Sequence, residues 1–362
     1  MNSKKIVLVS SEFPPLPGGI GNHALNLALA LTEKGYHITV LTDQRESNNK
    51  ENDFDKQLKF EVIRTGLQQN RKLMYLKRIQ QLFILSRKNE VFIASGKFSL
   101  WMVALLSLFY SRKYIAVVHG TEVNLLSKTL RNITEFSLKQ MHAVISVSKY
   151  TKSFTDHLKL KNSVVIPNGF TIENHSLENK KMDSYPNLVT VGRVSKRKGQ
   201  VNIINALPEI KKQYPNVCYH MIGIPEDKGQ LISLAINLGV QNNIVFYGKQ
   251  DYNSLYSIVA KSDIFMMLSQ NDDKGDIEGF GIAILEANHF GIPAIGSLGC
   301  GIEDAIKNKY SGVLVNPTDK IQIINAITEI LTESNKYNIN AIEWSRKFNW
   351  DKVVLDYLRV LK

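Results

Sequence analysis

The chain has little cysteine: two residues, Cys218 and Cys300, in 362. Two cannot build a disulfide framework, and neither lies in a metal-ligand spacing or a catalytic-thiol setting, so the sequence points to a reducing, cytoplasmic compartment. Long apolar runs are missing too. The most apolar stretch, Phe98 to Tyr110, has 13 residues, whereas a membrane-spanning helix needs roughly 20. The apolar segment after Met1-Asn-Ser-Lys-Lys is too short for a signal-peptide core. There is no short-period repeat, Walker motif, nucleophile elbow, zinc-type cluster or Asp-x-Asp metal clamp. Acidic residues are scarce only in the first half. Residues 1–168 carry 24 Lys and Arg against 12 Asp and Glu, and residues 169–362 carry 21 of each, so the net charge of +12 belongs to the first half. A pI near 9.4 raises nucleic acid as a partner, but no nucleic-acid-reading motif accompanies it and none is expected to bind.

What is present is alternation. Short apolar, β-branched runs alternate with helical patterns, the mark of βαβ units on a parallel sheet. In the first half strands are expected at 6–10, 38–42, 91–94, 114–118, 143–147 and 164–166, with helices at 21–34, 98–110 and 128–139. A polar stretch at 168–186 reads as a linker. A second series of strands follows at 188–191, 217–222, 244–247, 264–268, 294–295 and 313–315. The tail from Asn338 to Lys362 has an amphipathic helical pattern broken near Asn349. The expected fold class is α/β, with two Rossmann-like doubly wound parallel-sheet domains over 1–168 and 187–345. Ligands of such paired domains usually bind in the cleft between them, at the carboxyl ends of strands.

Four clusters carry chemistry. Gly19-Ile-Gly21-Asn-His-Ala24 fits a dinucleotide fingerprint, and Asp43 closes the next strand where a ribose-binding acid would belong, which allows an NAD(P)-dependent oxidoreductase as an alternative. Against it, the proline-rich Ser11–Pro17 separates the glycines from the strand. The competing reading is a rigid loop ending in Gly18-Gly19, whose backbone N–H groups approach an anion at a helix start. After the first strand of the second half come Gly192-Arg193 and Lys198-Gly199; a guanidinium fork and an ammonium suit a diphosphate, while Lys196 and Arg197 read as a solvated basic turn. In Glu278-Gly279-Phe280-Gly281-Ile282 the glycines turn tightly into an apolar helix bearing Glu286, read as more than two turns in. Its start offers N–H groups to phosphate, and the two carboxylates could accept from sugar and ribose hydroxyls. A capping acid plus a surface glutamate is the plainer alternative. His119-Gly120 ends a strand, where a histidine could bond a ligand hydroxyl or be merely structural. Gly299-Cys300-Gly301 with Glu303 and Asp304 forms a further turn.

Taken in order, Pro14-Pro15…Gly18-Gly19, His119-Gly120, Ile166-Pro-Asn168-Gly169, Gly192-Arg193…Lys198-Gly199 and Glu278-Gly-Phe-Gly281…Leu285-Glu286-Ala287 resemble the family 4 glycosyltransferases, retaining enzymes of the GT-B fold, over essentially the whole chain. Arg197-Lys-Gly-Gln200 and Asp276-Ile-Glu-Gly279 look like members that mannosylate phosphatidylinositol. The resemblance implies that the tail around Trp350, about 346–362, crosses back to complete the first domain. It implies that Arg193 and Lys198 bind the donor diphosphate, Glu286 the ribose, and Glu278 the sugar hydroxyls along with main-chain amides around Phe280 and Gly281. Gly19 would approach the diphosphate, and His119 would lie near the sugar. No cofactor and no metal are implied.

The expected activity is therefore transfer of a hexosyl group, with retention, from GDP-mannose or a UDP-hexose to a lipid-linked or glycan acceptor in cell-surface polysaccharide or glycolipid synthesis. A sugar phosphorylase of the same fold is disfavoured by the short chain. Arg71, Lys72, Lys77 and Arg78, with Leu73, Met74, Tyr75, Leu76 and Ile79, have the composition of a basic amphipathic patch able to rest on anionic lipid, or of a solvated helix face. Peripheral association with the inner face of the cytoplasmic membrane is the corresponding expectation.

Overall fold

The computed structural model describes residues 4–16, 18–46, 49–67, 70–172, 182–271 and 275–362. It divides into two compact units, residues 1–169 with 350–362 and residues 170–349. Of the linker expected at 168–186, residues 173–181 lie outside the described residues.

The first unit runs β1 (Lys5–Ser10), α1 (Gly19–Glu33), β2 (His37–Asp43), α2 (Lys50–Asp55), β3 (Glu61–Thr65), α3 (Arg71–Ser86), β4 (Val91–Ser95), α4 (Lys97–Ser107), β5 (Lys113–Val118), α5 (Lys128–Lys139), β6 (Ala143–Ser146), α6 (Lys149–Ser153) and β7 (Ser163–Val165). Its parallel sheet has the order β3-β2-β1-β4-β5-β6-β7, so the winding reverses between β1 and β4. Right-handed crossovers then put α3, α4 and α5 on one sheet face and α1 and α2 on the other. Central strands are apolar on both faces, as layers on both sides require: Val7, Val9, Phe92 and Ala94 are buried on one face and Ile6, Leu8, Ile93 and Ile115 on the other. Strand β3 and helices α2 and α3 have no counterpart among the expected elements. Strand β3 is an edge strand, its Glu61 and Arg64 polar and its residues mostly half-buried, so it lacks the continuous apolar run that marks the central strands.

The second unit runs β8 (Asn187–Val191), α7 (Gln200–Gln213), β9 (Cys218–Ile222), α8 (Lys228–Asn237), β10 (Ile244–Gly248), α9 (Tyr252–Ala260), β11 (Ile264–Met267), α10 (Ile282–His289), β12 (Ala294–Ser297), α11 (Ile302–Ala305), β13 (Gly312–Val315), α12 (Lys320–Thr332) and α13 (Ser334–Ser345). The parallel order β10-β9-β8-β11-β12-β13 reverses between β8 and β11. Leu188, Ile203, Leu207, Tyr219, Met266, Ile295 and Ile327 fill its core. In open α/β sheets ligands gather at the carboxyl ends of strands flanking such a reversal.

After α13, Asn349 adopts an extended conformation (φ −63°, ψ 141°) that ends the helical run before α14 (Trp350–Leu361) begins. Helix α14 belongs to the first unit. It packs on α1, where His23 Nε2 and Tyr357 Oη lie 2.9 Å apart. Gly169 is required beside it, because a Cβ there would stand 2.8 Å from the Trp350 indole.

Candidate functional site

At the reversal point of the second sheet, glycines let strand ends touch backbone to backbone. A Cβ on Gly223 would fall 2.0 Å from the Gly192 carbonyl oxygen, and one on Gly199 would fall 1.7 Å from that of Leu268, just past β11. Residues Lys196–Lys198 form a single 3-10 turn closed by Gly199 at φ +75°. Gln270 N donates to Arg197 O at 2.8 Å, pinning this turn to the loop that follows β11. Glu278 lies on that loop, and two cations meet it: Lys198 Nζ is 2.6 Å and Arg197 Nη1 2.8 Å from the same oxygen, Oε2.

Burial alone would raise the Glu278 carboxyl, but the Lys198 ammonium and Arg197 guanidinium outweigh it and hold the group at about 2. At neutral pH the cluster is one carboxylate and two cations. Its net charge of +1 makes it a seat for an anion.

One expectation is corrected here. Arg197 is not part of a solvated turn; its side chain is 24% exposed and ion-paired, because a 3-10 turn fans successive side chains roughly 120° apart and only Lys196 is left facing water. The space beside Gly192 is filled by the Lys198 stem, whose Cε would be 3.4 Å from an added Cβ. Arg193 is 59% exposed and 3.3 Å from Glu226.

The segment from Glu278 to Gly281 has no regular secondary structure, Gly281 stands at φ +93°, and α10 starts only at Ile282. Glu286 is thus its fifth residue, little more than one turn in, and not more than two turns as the spacing from Glu278 suggested. Phe280 is buried, its ring 6.0 Å from that of Phe348. Gly301 N donates to Glu278 O at 2.9 Å, and a Cβ on Gly301 would stand 2.0 Å from Gly279 O, so the turn after β12 clamps the glycine loop. Glu303, exposed, closes that turn by accepting from Gly299 N at 2.6 Å. Of the loop from Ser269 to Gly279, residues 272–274 lie outside the described residues.

Glu286 is half-buried, and burial lifts its carboxyl to about 7. Its field adds to burial in raising the hydroxyl pKa of Tyr252 and Tyr256, which stack at 5.8 Å on α9. The sequence reading passed over these tyrosines. Their i, i+4 spacing was the available signal.

The remaining candidates belong to the first unit. Gly18 caps α1, and a Cβ there would lie 2.4 Å from Glu12 Oε2; Gly19 opens the helix with free space around it. Gly21 is a packing glycine, since a Cβ would meet the Glu12–Phe13 backbone at 3.2 Å. Pro17 lies outside the described residues. His119 Nε2 is 2.9 Å from Ser95 Oγ at the ends of β5 and β4, and its ring meets that of His23 edge-on at 4.9 Å. Burial lowers the His119 pKa to about 4, so this imidazole is neutral at pH 7. Buried Glu122 accepts from His119 N at 2.8 Å, and burial raises its carboxyl.

Asp43 does not stand ready for a ribose. Both its oxygens are 3.1 Å from Arg78 Nη1, and Arg78, fully buried, also donates to Ser11 and Ser99. A buried guanidinium needs an acid, and Asp43 is the acid supplied. The same pairing removes Arg78 from the expected basic surface patch. Among the described residues no group of three or more His, Cys, Asp or Glu could hold a metal ion, and no helix is long and apolar enough to cross a membrane.

Comparison with known proteins supplies the family. Residues 17–174 match the profile described as Glycosyltransferase Family 4, and residues 171–347 the one described as Glycosyl transferases group 1. A Corynebacterium glutamicum protein, named GDP-mannose-dependent monoacylated alpha-(1-6)-phosphatidylinositol monomannoside mannosyltransferase, is 25% identical over 353 residues, covering 91% of this chain and 90% of its own. Among solved structures, a sucrose-phosphate synthase from Thermosynechococcus elongatus superposes with a TM-score of 0.82 at 20% identity, covering 99% of this chain and 98% of the other. Anabaena HepE, solved with UDP and glucose, gives 0.81 at 18% identity over 99% of both chains. Those superpositions carry the fold, and the two profiles between them take in both sheets: the chain belongs to the family 4 glycosyltransferases of the GT-B fold, enzymes that draw on nucleotide-sugar donors.

Proposed function

We propose that the chain is a retaining hexosyltransferase that takes its sugar from GDP-mannose or a UDP-hexose and delivers it to a lipid-linked or glycan acceptor in cell-surface polysaccharide or glycolipid synthesis. The observation that carries this reading is the Arg197–Lys198–Glu278 cluster, two cations on one carboxylate oxygen beside the glycine loop that opens α10. A nucleoside diphosphate supplies the negative charge this cluster lacks. Lys198 keeps two donors beyond the one given to Glu278, and Arg193, exposed beside Gly192, swings from Glu226 to the diphosphate. Glu278, held ionised, accepts from sugar hydroxyls through Oε1, and Glu286 accepts from the ribose. His119, a neutral donor or acceptor, addresses the sugar, and Gly18-Gly19 offer N–H groups to the diphosphate. No cofactor or metal takes part.

In the transfer step the bond from the anomeric carbon to the diphosphate oxygen breaks, and the acceptor oxygen bonds the same carbon from the same face. The acceptor's proton passes to the departing phosphate oxygen, whose growing charge Lys198, Arg193 and the start of α10 absorb. The relatives favour a guanosine donor weakly: the named Corynebacterium enzyme is GDP-mannose-dependent, whereas HepE was solved with UDP. Incubating the chain with a panel of GDP- and UDP-sugars tests the reading. Release of one nucleoside diphosphate and an acceptor product with the donor's anomeric configuration is expected; no release from any of them, or an inverted product, contradicts it.

A further inference from the structure

The reversal point of the first sheet, between β1 and β4, gathers a chain of polar side chains. Ser95 ends β4, paired in register with Ser10 at the end of β1, and His119 follows directly on β5. Strands β4 and β5 are neighbours, which brings Ser95 Oγ to 2.9 Å from His119 Nε2. Ser95 is solvent-inaccessible, and among the described residues this is the one hydrogen bond of its side chain. His119 is half-buried; its backbone N–H donates to Glu122, and its Nδ1 has no partner among the described residues.

The His119 ring rests on a second imidazole. His23, buried on α1, meets it edge-on at 4.9 Å with the ring planes 77° apart. His23 is in turn held by α14. Its Nε2 lies 2.9 Å from Tyr357 Oη, the one hydrogen bond of its side chain among the described residues, and the Trp350 ring stands 5.3 Å from it. Burial lowers the pKa of both histidines, so at pH 7 neither carries a charge. A neutral imidazole has one donor and one acceptor nitrogen, and for His119 the serine already occupies one of them. What the ring can offer a ligand is therefore decided by Ser95, and its attitude by the wall that His23 forms. That wall depends on a residue 334 positions further along the chain.

We infer that Ser95 and Tyr357 are positioning residues for His119. Ser95 takes Nε2, so that Nδ1 is the nitrogen presented to the donor sugar, and Tyr357, by holding His23, fixes the ring against which His119 rests. Helix α14 is thereby a working part of the first unit's site as well as a cover for α1. The inference rests on the reading of His119 as the residue that addresses the sugar.

Hydrolysis of the accepted GDP- or UDP-sugar by the full chain tests it, in Ser95→Ala, Tyr357→Phe and His119→Ala, alone and combined, each shown by circular dichroism to be folded at the assay temperature. His119→Ala should lower kcat about a hundredfold. Ser95→Ala and Tyr357→Phe should each lower it roughly threefold to tenfold, the span of one lost hydrogen bond. Affinity for GDP or UDP, which lack the sugar, should stay at the parent's value in both. Added to His119→Ala, neither substitution should have a further effect, because nothing is left to position. Parental kcat in Ser95→Ala and Tyr357→Phe beside an impaired His119→Ala overturns the inference and leaves the reading of His119 standing. So does a loss that recurs by the same factor in the His119→Ala background, or one matched by an equal loss of nucleotide affinity, since either marks a general weakening of the first unit. Parental turnover in His119→Ala overturns the inference and that reading together.

Discussion

Each of the two units sets an acid against an arginine near the carboxyl ends of its strands, on opposite sides of the reversal point, and the two use the pair in opposite ways. In the first, Asp43 ends β2, and its oxygens are taken by a buried arginine that also donates to two serines. In the second, Glu278 follows β11 and receives two cations on one oxygen at a partly open surface. The first cluster is closed and neutral. The second carries an unbalanced positive charge beside a helix start. Of two glycine-rich turns into helices, the one that better fits a dinucleotide fingerprint is therefore the one whose acid is already consumed. A motif reports backbone room; whether a ligand is held depends on the charge left over.

The largest effect expected from this contrast is on stability. Arg78→Met removes the partner of a buried carboxylate and should cost about 3–5 kcal/mol, read as an early denaturant midpoint of the full chain. If Arg78→Met unfolds with the parent, the closed cluster does not hold the first unit together. Arg193→Ala should do the reverse. Its pair with Glu226 is exposed and contributes little to stability, so the melting temperature should stay, while kcat falls by roughly a hundredfold if the guanidinium stabilises the leaving diphosphate. Unchanged turnover would remove Arg193 from the site.

A smaller effect should appear with pH. Burial raises the Glu286 carboxyl to about 7, and the ionised form is the one that accepts from ribose hydroxyls. Nucleoside diphosphate affinity should accordingly rise by about threefold to tenfold between pH 6 and pH 8, and Glu286→Gln should flatten that rise. A Glu286→Gln titration that keeps the parent's pH dependence would place the titrating group elsewhere.

Much of this could be read from the chain itself. The double βα alternation, the break before α14 and the glycine turn that leads into α10 follow from periodicity and glycine placement; the pairing of Lys198 with Glu278 came only with the structure. Strand β3 did not, because an edge strand with Glu61 and Arg64 lacks the apolar run that marks buried strands. The Asp43–Arg78 pair was hidden for another reason: the residues are 35 apart, and no local pattern distinguishes an arginine that turns inward from its neighbour Lys77, which faces water. Arg197 was misjudged because three adjacent cations look alike until the 3-10 turn separates their directions.

The central claim is that the Glu278 cluster is the diphosphate seat. Calorimetric titration of GDP and UDP into the full chain and into Arg197→Ala/Lys198→Ala addresses it most directly. Micromolar-scale binding of one nucleotide by the parent, weakened at least a hundredfold in a double variant that circular dichroism shows to be folded at the titration temperature, is the predicted result; equal affinity in both proteins would contradict it.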